Sequence, residues 1–161
     1  MRHDDRGLPG WLELVPASAA SGPAGIVVSG RACRTRRGLF TEWARALDFP
    51  AYFGHNWDAF ADSLTDRAWP ELADPGAEPA ELEPLVITVE DAERLLAEEP
   101  PARLATLLEI LDDVATGRNL GRPDLLASPP RLRLALRYRA DHELDLLRRL
   151  HASWPPAPPP A

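Results

Sequence analysis

The sequence predicts a small α/β protein in which helices pack on a three-stranded parallel sheet. Three observations carry this expectation. GIVVSG at residues 25–30 and LVITVE at 85–90 are short apolar runs rich in β-branched residues, the composition of strands buried on both faces. LRLALRYR at 132–139 alternates apolar and polar residues, as a strand with one solvated, basic face does. Segments of helical period lie between these runs, and crossovers through helices favour parallel, right-handed pairing. At 161 residues and 45% hydrophobic, the chain is long enough for one domain with a real core.

Each element has its own signature. WLELV at residues 11–15 alternates like a short strand, and the PASAASGPAG that follows reads as loop. RACRTRRG at 31–38 is a basic, solvated turn. In LFTEWARAL at 39–47, Leu39, Trp43 and Leu47 stand four apart with Phe40 and Ala44 beside them, so a helix is expected. Thr35 or Thr41 caps its start and Pro50 stops it, leaving Phe49 extended. AYFG at 51–54 is a loop in which Gly54 is free to take positive φ. Asn56 is placed to cap a helix over WDAFADSL, with Asp58 in its first turn near the free N–H groups.

On that helix Trp57, Phe60 and Leu64 fall on the side expected to face the core. Asp58 and Asp62 lie one turn apart on another side, and Ala61 stands between the two sets. Like charges at this spacing cost a helix roughly 0.2–0.5 kcal/mol, and neither aspartate has a basic residue at helical spacing within the segment. Cations from a partner would offset that cost.

Residues 66–84 form a long connection rich in proline, alanine and acid. DAERLL at 91–96 opens a short helix that Pro100 and Pro101 end. Residues 104–117 are expected to be helical, with Leu104, Leu107, Leu108, Leu111 and Ala115 on one face and Gly117 closing the end. A loop with three prolines precedes the last strand. DHELDLLRRLHASW at 141–154 is a final helix, apolar at Leu144, Leu147 and Leu150, and PPAPPPA is a stiff tail.

The composition excludes several functions. Net charge is -7 and all 18 basic residues are arginine. An acidic balance opposes nucleic-acid binding, which needs a positive surface to release counterions. It suits a basic protein partner. Acidity is concentrated in residues 71–113, where thirteen acids face only Arg94 and Arg103. Cys33 is the single cysteine, so no internal disulfide or cysteine metal cluster can form. His3, His55, His142 and His151 lack metal-ligand spacing. No nucleophile elbow, phosphate loop or Walker lysine appears. Asp58 and Asp62 could share a proton as an acid–base pair, but same-turn carboxylates are common on ordinary helices. The expectation is therefore no enzyme, no catalytic residue, no cofactor and no metal. No stretch approaches a membrane span, and no apolar run follows the charged N-terminus, so the chain is expected to be cytoplasmic and away from membranes.

LDFPAYFGHNWDAFADSL resembles the inhibitory segment of the barstar family, intracellular inhibitors of the ribonuclease barnase. Pro50, Tyr52, Phe53, Gly54, Asn56, Asp58, Ala59, Phe60, Asp62 and Leu64 follow that family's signature in order. So do the preceding strand ending in SG, the helix at 39–47, the strand at 85–90, the helix ending at Gly117 and a final strand. The resemblance implies a barstar-like domain at 26–139. Residues 1–25 are then an N-terminal extension with a short extra strand, 140–154 an additional C-terminal helix, and 155–161 a proline-rich tail.

The resemblance also implies roles. Asp62 would take the place of an RNA phosphate among the Arg, Lys and His groups of a ribonuclease, and Asp58 would pair with further enzyme cations. Tyr52 would pack on the catalytic region, Gly54 would let the backbone approach, and Asn56 and Ala61 belong to the same surface. Asp112 is the nearest match to a further ion-pairing carboxylate, with Asp113 beside it. The implied function is an intracellular inhibitor that blocks the active site of a basic, extracellular-type ribonuclease or similar basic protein. The alternative is an interaction or regulatory module of the same fold with a non-nuclease partner. Three positions depart from the pattern. Ala61 stands where the family often has tryptophan, Trp57 where a smaller apolar residue is usual, and His55 where the family has an acid.

Overall fold

The computed structural model describes residues 7–20, 22–72, 83–121 and 129–154. The expected connection after Pro70, part of the three-proline loop and the proline tail fall largely or wholly outside these residues. The strands are β1 (Leu12–Pro16), β2 (Ile26–Ser29), β3 (Leu85–Glu90) and β4 (Leu132–Tyr138), and the helices are α1 (Arg36–Leu47), α2 (Trp57–Ala68), α3 (Pro101–Thr116) and α4 (Glu143–Ser153).

β3 and β4 lie at the centre of a parallel sheet of order β1-β4-β3-β2. The sheet has four strands rather than three because β1 pairs with the outer edge of β4, Leu12 opposite Leu134 and Leu14 opposite Leu136. Leu134 N–H donates to the Trp11 carbonyl at 2.8 Å and begins this ladder. Leu8, Trp11 and Leu12 are buried, so the N-terminal extension is part of the same core.

Several boundaries differ from the sequence reading for local reasons. α1 starts at Arg36, with Thr35 Oγ1 accepting from Gly38 N–H at 3.0 Å. Its first three residues, Arg36, Arg37 and Gly38, carry no apolar periodicity that could announce it. The expected short helix at DAERLL is a single 3-10 turn, Ala92–Arg94. Asp91 and Leu96 on either side are left-handed, at φ 51° and 52°, and interrupt any longer helix. Pro101 does not end that turn but opens α3, where a missing N–H is harmless.

The face of β4 opposite the core is only partly solvated. Arg133 is exposed, but Arg137 is covered, 3.5 Å from Glu90 and donating to the Ala17 carbonyl at 3.2 Å. On α4 the apolar stripe is set one residue off the expected phase at its start. Leu146 and Leu150 are buried, Leu147 is half-buried, and Leu144 is 70% exposed. Trp11, just before β1, and Trp154, just after α4, pack edge to face at 5.9 Å. The Arg149 guanidinium ties α4 down by donating to the Glu93 and Leu95 carbonyls.

Cys33 is wholly buried under α1 and β2. Burial, and then the nearby Glu42 charge, push its thiol up to about 12, so it is an inert core group at neutral pH.

Candidate functional site

The stretch from Phe49 to Leu64 is anchored from below. Phe49, Phe53 and Phe60 are buried; Phe53 and Phe60 pack on Phe40 with ring centroids at 6.0 and 5.7 Å, and Phe49 packs on Phe53 at 5.2 Å. Phe53 N–H donates to the Pro50 carbonyl at 2.9 Å and closes the turn. Between these two buried phenylalanines Tyr52 projects outward, 87% exposed. A rigid loop thus presents one large aromatic to solvent.

The left-handed residue of the loop is His55, at φ 51°, and not Gly54. His55 Nδ1 lies 3.1 Å from the Phe53 carbonyl and its ring sits against the Phe53 ring at 4.8 Å, which holds this less common conformation. Gly54 is needed for space: a Cβ there would lie 2.9 Å from Asn56 Nδ2. Asn56 caps α2 as read. Its Oδ1 accepts from Ala59 N–H at 2.8 Å, while its Nδ2 donates to the Gly54 carbonyl at 3.3 Å. One side chain therefore fixes both the loop and the helix start.

α2 then divides by face. Phe60 and Leu64 are fully buried, and Trp57 is half-buried, edge to face with Phe40 at 5.0 Å. Asp58 and Asp62 are exposed, and neither has an ion pair or hydrogen bond among the described residues. Other acids have internal cations. Asp91 meets Arg31 at 3.3 Å and Glu98 meets Arg34 at 3.3 Å. The acidic run at 71–113 is thus partly neutralised from within, whereas the α2 pair is not.

The structure separates the α3 carboxylates. Asp112 accepts from Trp11 Nε1 at 2.9 Å and pairs with Arg118 at 3.0 Å, with only 13% of its side chain exposed. It therefore links α3 to the N-terminal extension. Asp113 also approaches Arg118, at 4.0 Å, and borders α2. It lines a recess of about 70 Å³ together with Ala61, Trp69, Ile110 and Val114. The sequence held a signal for this: Ile110, Asp113 and Val114 fall at i, i+3 and i+4, one stripe of α3. Tyr52, Gly54, Asn56, Asp58, Ala61 and Asp62 are brought together along one loop and one helix.

Among the described residues no group of His, Cys, Asp and Glu could hold a metal ion, and no helix is long and apolar enough to cross a membrane.

Residues 24–124 match the family model described as Barstar (barnase inhibitor). The matched stretch holds β2, α1, the Tyr52 loop, α2, β3 and α3, and β1, β4 and α4 lie outside it. A comparison with curated proteins gives no match.

Proposed function

The chain belongs to the barstar family, whose members inhibit barnase-type ribonucleases, and from that premise we propose that it blocks the active site of a basic ribonuclease with the Tyr52 loop and the outer face of α2. The observation that carries this reading is that Asp58 and Asp62, exposed on a helix locked from beneath by Phe60 and Leu64, have no partner among the described residues. A ribonuclease site is built to hold phosphate. A carboxylate held rigidly there satisfies the same donors and offers no bond to cleave.

In this reading Asp62 takes the phosphate position and Asp58 meets a neighbouring cation. Tyr52 covers the catalytic region, and Gly54 and Asn56 hold the loop for close approach. Burial of Asp62 is favourable only because the enzyme's cations supply donors to its oxygens. The net charge of -7 steers a basic enzyme toward this surface. The protein works by occupancy, not catalysis, and acts in the cytoplasm, where it protects the producing cell from its own nuclease. An internal arginine clamp on Asp62 would favour a regulatory module instead, and no such clamp exists among the described residues.

The test uses the full chain and its Asp62→Ala variant as bait against lysate and medium of the source organism. The expected result is a small basic protein held by the parent and lost by the variant, whose RNA cleavage the parent suppresses. Binding that ignores Asp62, or a captured protein without RNA cleavage, overturns the inhibitor reading.

A further inference from the structure

The recess between α2 and α3 opens beside Asp62 and is not explained by charge. Ala61 and Thr65 follow Asp58 and Asp62 around α2 on the side that meets α3. Ala61 stands three residues from Asp58 and Thr65 three from Asp62, so a partner docked on the two carboxylates borders the recess. Resting on the inhibitor reading above, we propose that the recess is a specificity pocket for one branched aliphatic side chain, a valine, leucine or isoleucine, presented by the ribonuclease beside its cations.

The chemistry of the walls selects that occupant. Among the described residues that line the recess, Ala61, Trp69, Ile110, Val114 and Leu120 are apolar. The polar groups within reach already have partners in the fold. Thr65 Oγ1 donates to the Ala61 carbonyl at 2.8 Å, and Trp69 Nε1 donates to the Val114 carbonyl at 2.8 Å. Asp113 at the edge lies 4.0 Å from Arg118. A trapped water needs two to four polar partners, and these walls offer few. At about 70 Å³ the recess falls well short of the ~150 Å³ cavity that holds a benzene ring, so it takes a side chain smaller than an aromatic ring. A short branched side chain matches it.

Left empty under a closed interface, the walls would lose their contact partners on one side. A void of this size weakens binding by about tenfold. Ala61 thereby becomes a specificity determinant: its short side chain leaves the opening that a larger residue would close.

The test measures the dissociation constant of the ribonuclease that the parent captures in an Asp62-dependent manner. It is measured against the parent, Ala61→Leu, Ala61→Val and Asp62→Ala, each with a thermal melt. The expected result is tenfold or greater weakening by Ala61→Leu at an unchanged melting temperature, with a smaller loss for Ala61→Val. Where Ala61→Leu melts early, Ala61→Val carries the test. Unchanged or tighter binding by the filled variants overturns the pocket while leaving the inhibitor reading in place. Binding indifferent to Asp62→Ala, or no captured ribonuclease at all, overturns both.

Discussion

Glu42 and Asp62 are both carboxylates on twelve-residue helices, yet the fold treats them in opposite ways. Glu42 on α1 is buried. Its Oε2 accepts from Ser29 N–H at 2.7 Å, and Arg45 reaches its two oxygens at 2.8 and 3.0 Å. Those contacts, the Arg45 hydrogen bond first, hold its carboxyl below the usual glutamate range against the opposing effect of burial. Asp62 on α2 is exposed and has no such partner among the described residues. A carboxylate satisfied inside the fold stabilises it and is unavailable to anything else. A carboxylate left unsatisfied on a rigid surface contributes nothing to folding and is open to a partner's cations.

The comparison depends on α2 staying fixed whatever happens at its surface, so the largest expected effect lies beneath it. Phe60 is fully buried against Phe40, Trp43, Phe49 and Trp57. Phe60→Ala should lower stability by about 3–5 kcal/mol in denaturant titration. A variant that unfolds at the parent's midpoint would break the claim that this face anchors the site.

Next comes Asp62→Ala, which should weaken ribonuclease binding by at least about 2 kcal/mol and shift stability by no more than about 0.5 kcal/mol. Equal losses in the two measurements would erase the contrast with Glu42.

Glu42→Gln should do the reverse, lowering stability by about 1–2 kcal/mol with binding unchanged. Gln keeps an oxygen for Ser29 N–H but loses the negative charge that strengthens that covered bond, while the Arg45 partner counts for little because Arg45 is 67% exposed and its charge is screened by water. The pH dependence sharpens the point. The folded carboxyl is lowered, so the unfolded chain binds the proton first as pH falls. The contribution is present at neutral pH and is lost as pH drops through the ordinary carboxylate range and below the folded value. Stability curves of the parent and Glu42→Gln should therefore converge toward acid, and parallel curves would remove Glu42 from the account.

The smallest effect concerns the cap that both faces of α2 share. Asn56→Ala should cost about 1 kcal/mol of stability and should also loosen the Gly54 loop. Amide exchange at Ala59, whose N–H the Asn56 side chain holds, would report it. Unaltered protection there would mean that the loop is held by Phe53 alone.

What was legible in the sequence was local. The cap at Asn56, the buried phase of Phe60 and Leu64, and the one-turn spacing of Asp58 and Asp62 are all read from a few neighbouring residues. The features that resisted reading depend on what lies opposite. Leu144 has the same apolarity as Leu146, and only the placement of α4 decides which is covered. Asp112 and Asp113 are adjacent and chemically identical. Both approach Arg118, yet one bonds Trp11, roughly a hundred residues away in sequence, and the other lines a recess with Ala61. The left-handed turn at His55 went to a residue with no glycine-like signal because its ring could bond the Phe53 carbonyl.

By itself the sequence determined the class of fold, the parallel strands at its centre and the loop–helix bearing the acid pair, because hydrophobic period and capping act over a turn or two of chain. The tertiary structure alone decided three things. It enlisted WLELV as a fourth strand, it separated the acids with internal arginines from those without, and it opened a recess between α2 and α3. Each of these is a relation between segments distant in the chain, set by how side chains fill the space between packed elements, and no local pattern encodes it.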